Sequence, residues 1–205
     1  MKLISFVLPP LENNNYLLID EISKEAALVD CSNYSPRVME ALEKECAKLK
    51  YIILTHAHFD HILGVEKLSQ ETGAKVLLHE ADKNLLGKLN MYTQMVGLPE
   101  VDIPNVDTFI QDGTIVKLGD NEIRVIHTPG HTEGGCSFFV DGNLFSGDTL
   151  FQESIGRTDL EGGDFMTLKD SIESRIYVLP DETNVYPGHG GSTTVGHEKK
   201  FNSYI

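Results

Sequence analysis

Basic residues are scarce in this chain: 17 Lys and Arg stand against 31 Asp and Glu in 205 residues, a formal net charge of −14 with a pI near 4.9. A broad cationic face able to displace counterions from phosphates is therefore excluded, and with it the ordinary nucleic-acid binders. Long apolar runs are missing too. The longest are fragments such as Leu3 to Leu8 and Tyr51 to Leu54, far short of the roughly 18 residues a membrane span needs. Cysteine is sparse, and Cys31, Cys46 and Cys136 form no paired motif, which reads as reduced thiols in a cytoplasmic protein. The short apolar stretch at the N-terminus is broken by Pro9 and Pro10 with no small-residue cleavage site behind it, so it reads as a first strand. Linkers, charge blocks and repeats are absent. What remains, 40% hydrophobic and 23% charged residues, is the composition of a folded globular chain, and residues 1–205 are expected to form one domain with a sizeable core.

Extended apolar segments at 3–8, 16–20, 26–30 and 51–55 flank a helix expected to begin at Pro36, with Ser35 as its N-cap. In that helix Val38, Leu42, Cys46 and Leu49 share one face, which predicts Cys46 as core packing. A second helix is expected over 61–72, stopped by Gly73, then a strand at 75–79 and one or two helices between 80 and 97. From 106 to 147 short strands alternate with turns such as Asp112-Gly113, Gly119-Asp120-Asn121 and Asp141-Gly142-Asn143. A helix at 164–178, a strand at 183–186 and a short helix at 196–203 complete the pattern. Sheets covered by helices satisfy it most simply.

The chemistry is concentrated in His56-Ala57-His58-Phe59-Asp60-His61, directly after the strand Tyr51 to Thr55. With 8 His in 205 residues, chance yields His-x-His-x-Asp-His about once in a thousand such sequences. Alternate residues of an extended segment face the same way, so His56 and His58 can hold one cation. Asp60 and His61 open the next helix, where the positive dipole end favours a carboxylate and the turn aims both side chains towards a second cation. Two cations need more donors. His131 follows Thr128-Pro129-Gly130, Asp148 follows Gly147, and His189 follows Pro187-Gly188. In each case a strand ends in Gly or Pro and then presents a His or Asp, so four strand ends could converge on one edge of the sheets.

These segments, Thr55 to His61, Thr128-Pro129-Gly130-His131-Thr132, Ser146-Gly147-Asp148-Thr149-Leu150-Phe151 and Pro187-Gly188-His189-Gly190, resemble the metallo-β-lactamase superfamily and, within it, the glyoxalase II (hydroxyacylglutathione hydrolase) branch. The resemblance spans nearly the whole chain in family order. It implies an α/β fold, a four-layer αβ/βα sandwich, with one divalent metal on His56, His58 and His131, the other on Asp60, His61 and His189, and Asp148 bridging. Zinc is the first expectation for both, with iron or manganese also suited to an all-N/O donor set. The chain ends 16 residues after His189, where longer glyoxalase II enzymes continue into a helical domain that helps hold glutathione. The segment Ile155 to Asp164 looks instead like short bacterial glyoxalase II-like proteins, and similar segments occur in persulfide dioxygenases.

A cation can lower the pKa of bound water from about 15.7 to about 7, which makes a metal-bound hydroxide the expected nucleophile. Asp60 would both ligate and orient it. A thiolate, with a thiol pKa near 8.5, leaves without protonation, so the expected substrate is a small acyl thioester of the S-lactoylglutathione kind. Arg157 is a candidate clamp for a substrate carboxylate, although Asp159 or Asp164 could equally hold it in a salt bridge. A mononuclear iron persulfide dioxygenase, or a superfamily hydrolase acting on a lactone or phosphodiester, stays open beside this reading. His79 is expected to cap or pack, His127 to lie outside the donor set, His197 to be structural and Cys136 to be a buried small residue.

Overall fold

The computed structural model describes residues 1–205. Its first half builds a six-stranded sheet in the order β1 (Lys2–Leu8), β2 (Asn13–Ile19), β3 (Glu25–Val29), β4 (Lys48–Ile53), β5 (Lys75–His79) and β6 (Thr108–Ile110). The β1 to β3 ribbons are antiparallel, and β3 to β6 run parallel. Parallel neighbours need crossover connections. These are α1 (Pro36–Glu45) between β3 and β4, α2 (Phe59–Ile62) with α3 (Val65–Thr72) between β4 and β5, and α4 (Lys83–Gly87) with α5 (Leu89–Met95) before β6. The second half builds β7 (Ile115–Leu118), β8 (Asn121–His127), β9 (Cys136–Val140), β10 (Asn143–Gly147), β13 (Asn184–Pro187) and β14 (Thr193–Thr194), ordered β14-β13-β10-β9-β8-β7. A small ribbon of β11 (Leu150–Phe151) and β12 (Ser154–Ile155) follows β10, and α6 (Phe165–Ser171) and α7 (Val195–Phe201) complete the chain.

The period-2 alternation of buried strands creates the layers. In β2 every residue is buried, but Leu17 and Ile19 face one way, against Val38, Leu42, Val65 and Leu68 of the first helices. Tyr16 and Leu18 face the other way and meet Val125, Phe138 and Phe145 of the second sheet. On that sheet's far side Ile126, Leu144 and Val185 pack on Leu168 and Ile172 of α6 and its continuation. Three successive cores separate four layers, helix, sheet, sheet, helix, as the resemblance implied.

Two local expectations need correction. Cys46 is exposed, not core. The helix stops at Glu45, and Cys46 takes a left-handed conformation (φ 52°, ψ 37°) as its C-cap, so it leaves the helical period; Leu49 is buried, but from β4. The single helix over 61–72 is two. The loop after β3 inserts into its hydrogen-bond ladder: Cys31 N–H donates to the His61 carbonyl at 2.8 Å, and the Cys31 carbonyl accepts from Gly64 N–H at 2.9 Å. A Cβ at Gly64 would sit 2.3 Å from the Asn33 carbonyl carbon, so only glycine permits this approach.

Candidate metal centre

All seven predicted donors meet at one edge of the sandwich. His56 lies just past β4, and His58 is the N-cap of α2 with Asp60 and His61 in its single turn. His131 follows β8, Asp148 follows β10 and His189 follows β13. The strand ends thus converge as the sequence spacing anticipated. The last approach is very close: a Cβ on Gly188 would lie 2.3 Å from Asp148 Oδ1 and 2.8 Å from the His61 ring, so the residue before His189 has to be glycine.

Ligating atoms of His56, His58 and His131 lie within 4.8 Å of one another, as do those of Asp60, His61 and His189. Asp148 stands between the groups. Its Oδ2 is 3.6 Å from His131 Nε2 and 3.7 Å from His189 Nε2, while Oδ1 is 3.3 Å from His61 Nε2 without hydrogen-bond geometry. His56 Nε2 and Asp148 Oδ1 are buried and unpartnered. Such orphans are costly in a protein interior unless a ligand takes them up. Direct contacts join only some of the donors, His58 Nδ1 to His131 Nε2 at 2.9 Å and His189 Nε2 to Asp60 Oδ2 at 3.2 Å, and the set of imidazoles and carboxylates around the two orphaned atoms fits divalent cations.

The two halves of the cluster differ in their electrostatics. Burial, reinforced by His61 and His58, holds His56 neutral, well below the usual imidazole pKa. Burial and then His131 push His58 down to about 3. Both rings are therefore neutral at neutral pH; His56 Nε2 is unpartnered, and His58 Nδ1 lies 2.9 Å from His131 Nε2. At His61 burial opposes a proton, but Asp148, Asp30 and Asp60 outweigh it and raise the pKa well above the ordinary value. Asp148 is likewise opposed by burial and held ionised by His61, His131 and His189. The carboxylates thus create a field that a cation would satisfy.

Sequence reasoning missed the residues that orient the donors. Asp30, 1% exposed, accepts from Thr55 N–H and Thr55 Oγ1–H at 2.8 Å and contacts His61 Nδ1 at 2.8 Å. This fixes Nε2 of His61 towards the centre, the usual carboxylate–histidine arrangement of metal sites. Asp82 is buried as well and accepts from Ala57 N–H, Thr132 Oγ1–H and Gly134 N–H at 2.7–2.9 Å. It ties the His56–His58 loop to the loop that carries His131. Asn13 Nδ2 reaches His61 Nε2 at 2.8 Å. The signal available was context: Asp30 directly follows a buried strand, just as the donors do.

Residues expected to lie outside the donor set do so. His79 caps the short helical turn Glu80–Asp82, its Nδ1 accepting from Ala81 N–H, and stacks on His127 at 4.1 Å between centroids. His197 pairs with Glu153. Cys136 lies in the core between the sheets, where burial raises its thiol pKa. Arg157 stands at the rim, 67% exposed, with its guanidinium held by both oxygens of Asp159 at 2.8–2.9 Å.

Comparison with known proteins identifies the family. Residues 9–189 match the metallo-beta-lactamase superfamily profile. The chain is 37% identical over 195 residues to hydroxyacylglutathione hydrolase GloC of Haemophilus influenzae, covering 93% of this chain and 92% of that protein. Among solved structures, the BLEG-1 B3 metallo-beta-lactamase superposes with a TM-score of 0.91 at 36% identity, over 99% of both chains. TTHA1623 in a di-iron-bound form superposes at 0.89 and 32% identity, over 98% of this chain and 100% of its own. By the profile match, the sequence identity and the fold, the chain belongs to the metallo-beta-lactamase superfamily.

Proposed function

We propose that residues 1–205 act as one catalytic domain, a dinuclear metallo-hydrolase that cleaves a small acyl thioester. The observation that carries this reading is Asp148, whose carboxylate lies between two three-donor groups and keeps Oδ1 unpartnered in a buried position. His56, His58 and His131 would hold one cation, Asp60, His61 and His189 the other, and Asp148 both. Zinc suits these donors, and the di-iron form of TTHA1623 makes iron an equal candidate. Bound cations supply Lewis acidity for a carbonyl oxygen and lower the pKa of water towards neutrality.

The chain's own groups do the rest. Asp60, its Oδ2 3.2 Å from His189 Nε2, would orient an attacking water at the floor of the centre. Asp30 and Asp82 hold His61 and the two donor loops in place, so little reorganisation accompanies reaction. No side chain need protonate the leaving group, because a thiolate departs unassisted near its thiol pKa of about 8.5. A substrate carboxylate would compete with Asp159 for Arg157. The three free cysteines, two of them buried, suit a reducing compartment such as the cytoplasm.

Two measurements on one preparation test the reading. Metal titration followed by mass spectrometry should reach two equivalents per chain, and the loaded protein should release free thiol from S-lactoylglutathione. A plateau at one equivalent would remove the dinuclear centre. Oxygen uptake with glutathione persulfide, in the absence of thioester cleavage, would replace hydrolysis by sulfur dioxygenation.

A further inference from the structure

Above the donor cluster opens a cavity of about 500 Å³, within the range of small-molecule sites. Its floor is His58, Asp60, His131, Asp148 and His189. Its walls are of a different kind. Leu11 comes from the loop before β2, Phe59 from the first turn of α2, Met95 and Val96 from the end of α5, and Phe151 and Ile155 from the β11–β12 ribbon. Three of these stand in water at the rim, Leu11 55%, Met95 74% and Val96 53% exposed. Large apolar side chains converging from separate segments on one opening, beside a cluster of reactive groups, form a surface that a bound apolar group would cover.

Charge decides which part of a thioester enters. The carbonyl carbon at the floor has two substituents, the acyl group and the sulfur with its carrier. Cellular thiol carriers are anionic. Arg157 is the one cationic side chain lining the cavity, and Asp159 already holds it in a two-point pair. Glu161 lies outside the cavity lining and is paired with Lys88 while accepting from Tyr92 Oη, so Lys88 is not free either, and Tyr92 contributes to the cavity wall. An anionic carrier would therefore have to displace Asp159 from Arg157, whereas an apolar acyl group finds a wall already in place.

We infer that this cavity selects substrates by an apolar acyl group, which it covers with Leu11, Phe59, Met95, Val96 and Phe151, while the thiol carrier stays in solvent. The inference rests on the thioester reading above and narrows it away from short hydroxyacyl groups. Met95 determines specificity without touching the donors, whereas Leu11 meets one of them through its backbone carbonyl, 3.1 Å from His189 Nδ1.

The test is a series of N-acetylcysteamine thioesters, acetyl, butanoyl, hexanoyl and lactoyl, with the hexanoyl group repeated on glutathione. The protein is assayed as purified, with its metal content measured alongside. A fully buried methylene adds about fourfold in binding, so kcat/KM should rise roughly two- to fourfold per methylene from acetyl to hexanoyl. It should change little between the two carriers. Met95→Gln, at an exposed position, should lower the hexanoyl-to-acetyl ratio by about threefold or more. A flat series, or a preference for lactoyl, would overturn the apolar selection and leave thioester hydrolysis standing. If no thioester is cleaved, the hydrolase reading fails, and the cavity is then read by calorimetric binding of acetate, butanoate and hexanoate. Affinity rising with chain length upholds the apolar cavity, and equal affinities overturn it.

Discussion

The sheet of β1 to β6 brings four of the seven donors to the centre within the six residues from His56 to His61, whereas the sheet of β7 to β14 brings three, each past the end of a different strand. The first set is positioned locally, by one loop, one helical turn and the buried Asp30 beneath it. The second depends on strand register, since β10 must lie between β9 and β13 to place Asp148 between His131 and His189. A compact motif therefore depends on a hydrogen-bonded support, and a dispersed one on the sheet itself. The two supports differ in how they can be broken.

The largest effect is expected where the sets meet. Asp148→Ala removes the one carboxylate lying between both donor groups, so both cations should be lost together and thioester hydrolysis should fall by more than about 100-fold, beyond what an orienting residue alone contributes. Metal analysis after gel filtration checks this, and retention of one tight equivalent would mean that the sets act independently. Chelation comes next. A cation held at about 1,000 times its Kd stabilises the native state by about 4 kcal/mol, so removing both should lower Tm in calorimetry, with recovery complete only at the second equivalent.

Asp30→Asn probes the local support. It keeps the size of the side chain but weakens the hold on His61 Nδ1 and should cost about 10- to 100-fold in metal affinity. Asp82→Asn, which leaves one of the three donors facing an amide N–H, should cost about 1–3 kcal/mol in urea unfolding, with a smaller change in metal affinity. If the Asp82 variant loses metal and the Asp30 variant does not, the comparison is inverted. The smallest effect belongs to Cys136→Ala: about 1 kcal/mol of stability from the core between the sheets, with kcat and KM unchanged.

Much of this centre could be read in advance because its donors carry two signals at once, residue type and a strand-to-Gly or strand-to-Pro context. His56, His58, Asp60 and His61 had spacing besides. Asp30 and Asp82 had neither a partner in sequence nor a motif; Asp82 acts on Ala57, Thr132 and Gly134, 25 to 52 residues away. The layers followed from period and turn residues, but the break between α2 and α3 did not, because its cause is a hydrogen bond from Cys31 on another segment. Cys46 fits the helical period in sequence and leaves it in the structure, because one left-handed residue redirects the chain. The apolar cavity was invisible for a similar reason. Leu11, Met95 and Phe151 are ordinary residues until folding sets them around one opening.

The strand β2 reaches across to the end of β13. Asn14 N–H donates to the Gly188 carbonyl, Asn14 Nδ2 to the carbonyls of Pro187 and Gly190, and Tyr16 Oη to that of Pro187. These bonds span 171 to 176 residues of sequence, among the costliest contacts for a chain to find by diffusion. The contacts that anchor the loop bearing His189 thus exist only where the two sheets are docked. A pair of cations that together took all seven donors would recognise the finished tertiary structure rather than a local motif, and uptake of the second would then be a clock for the last step of folding.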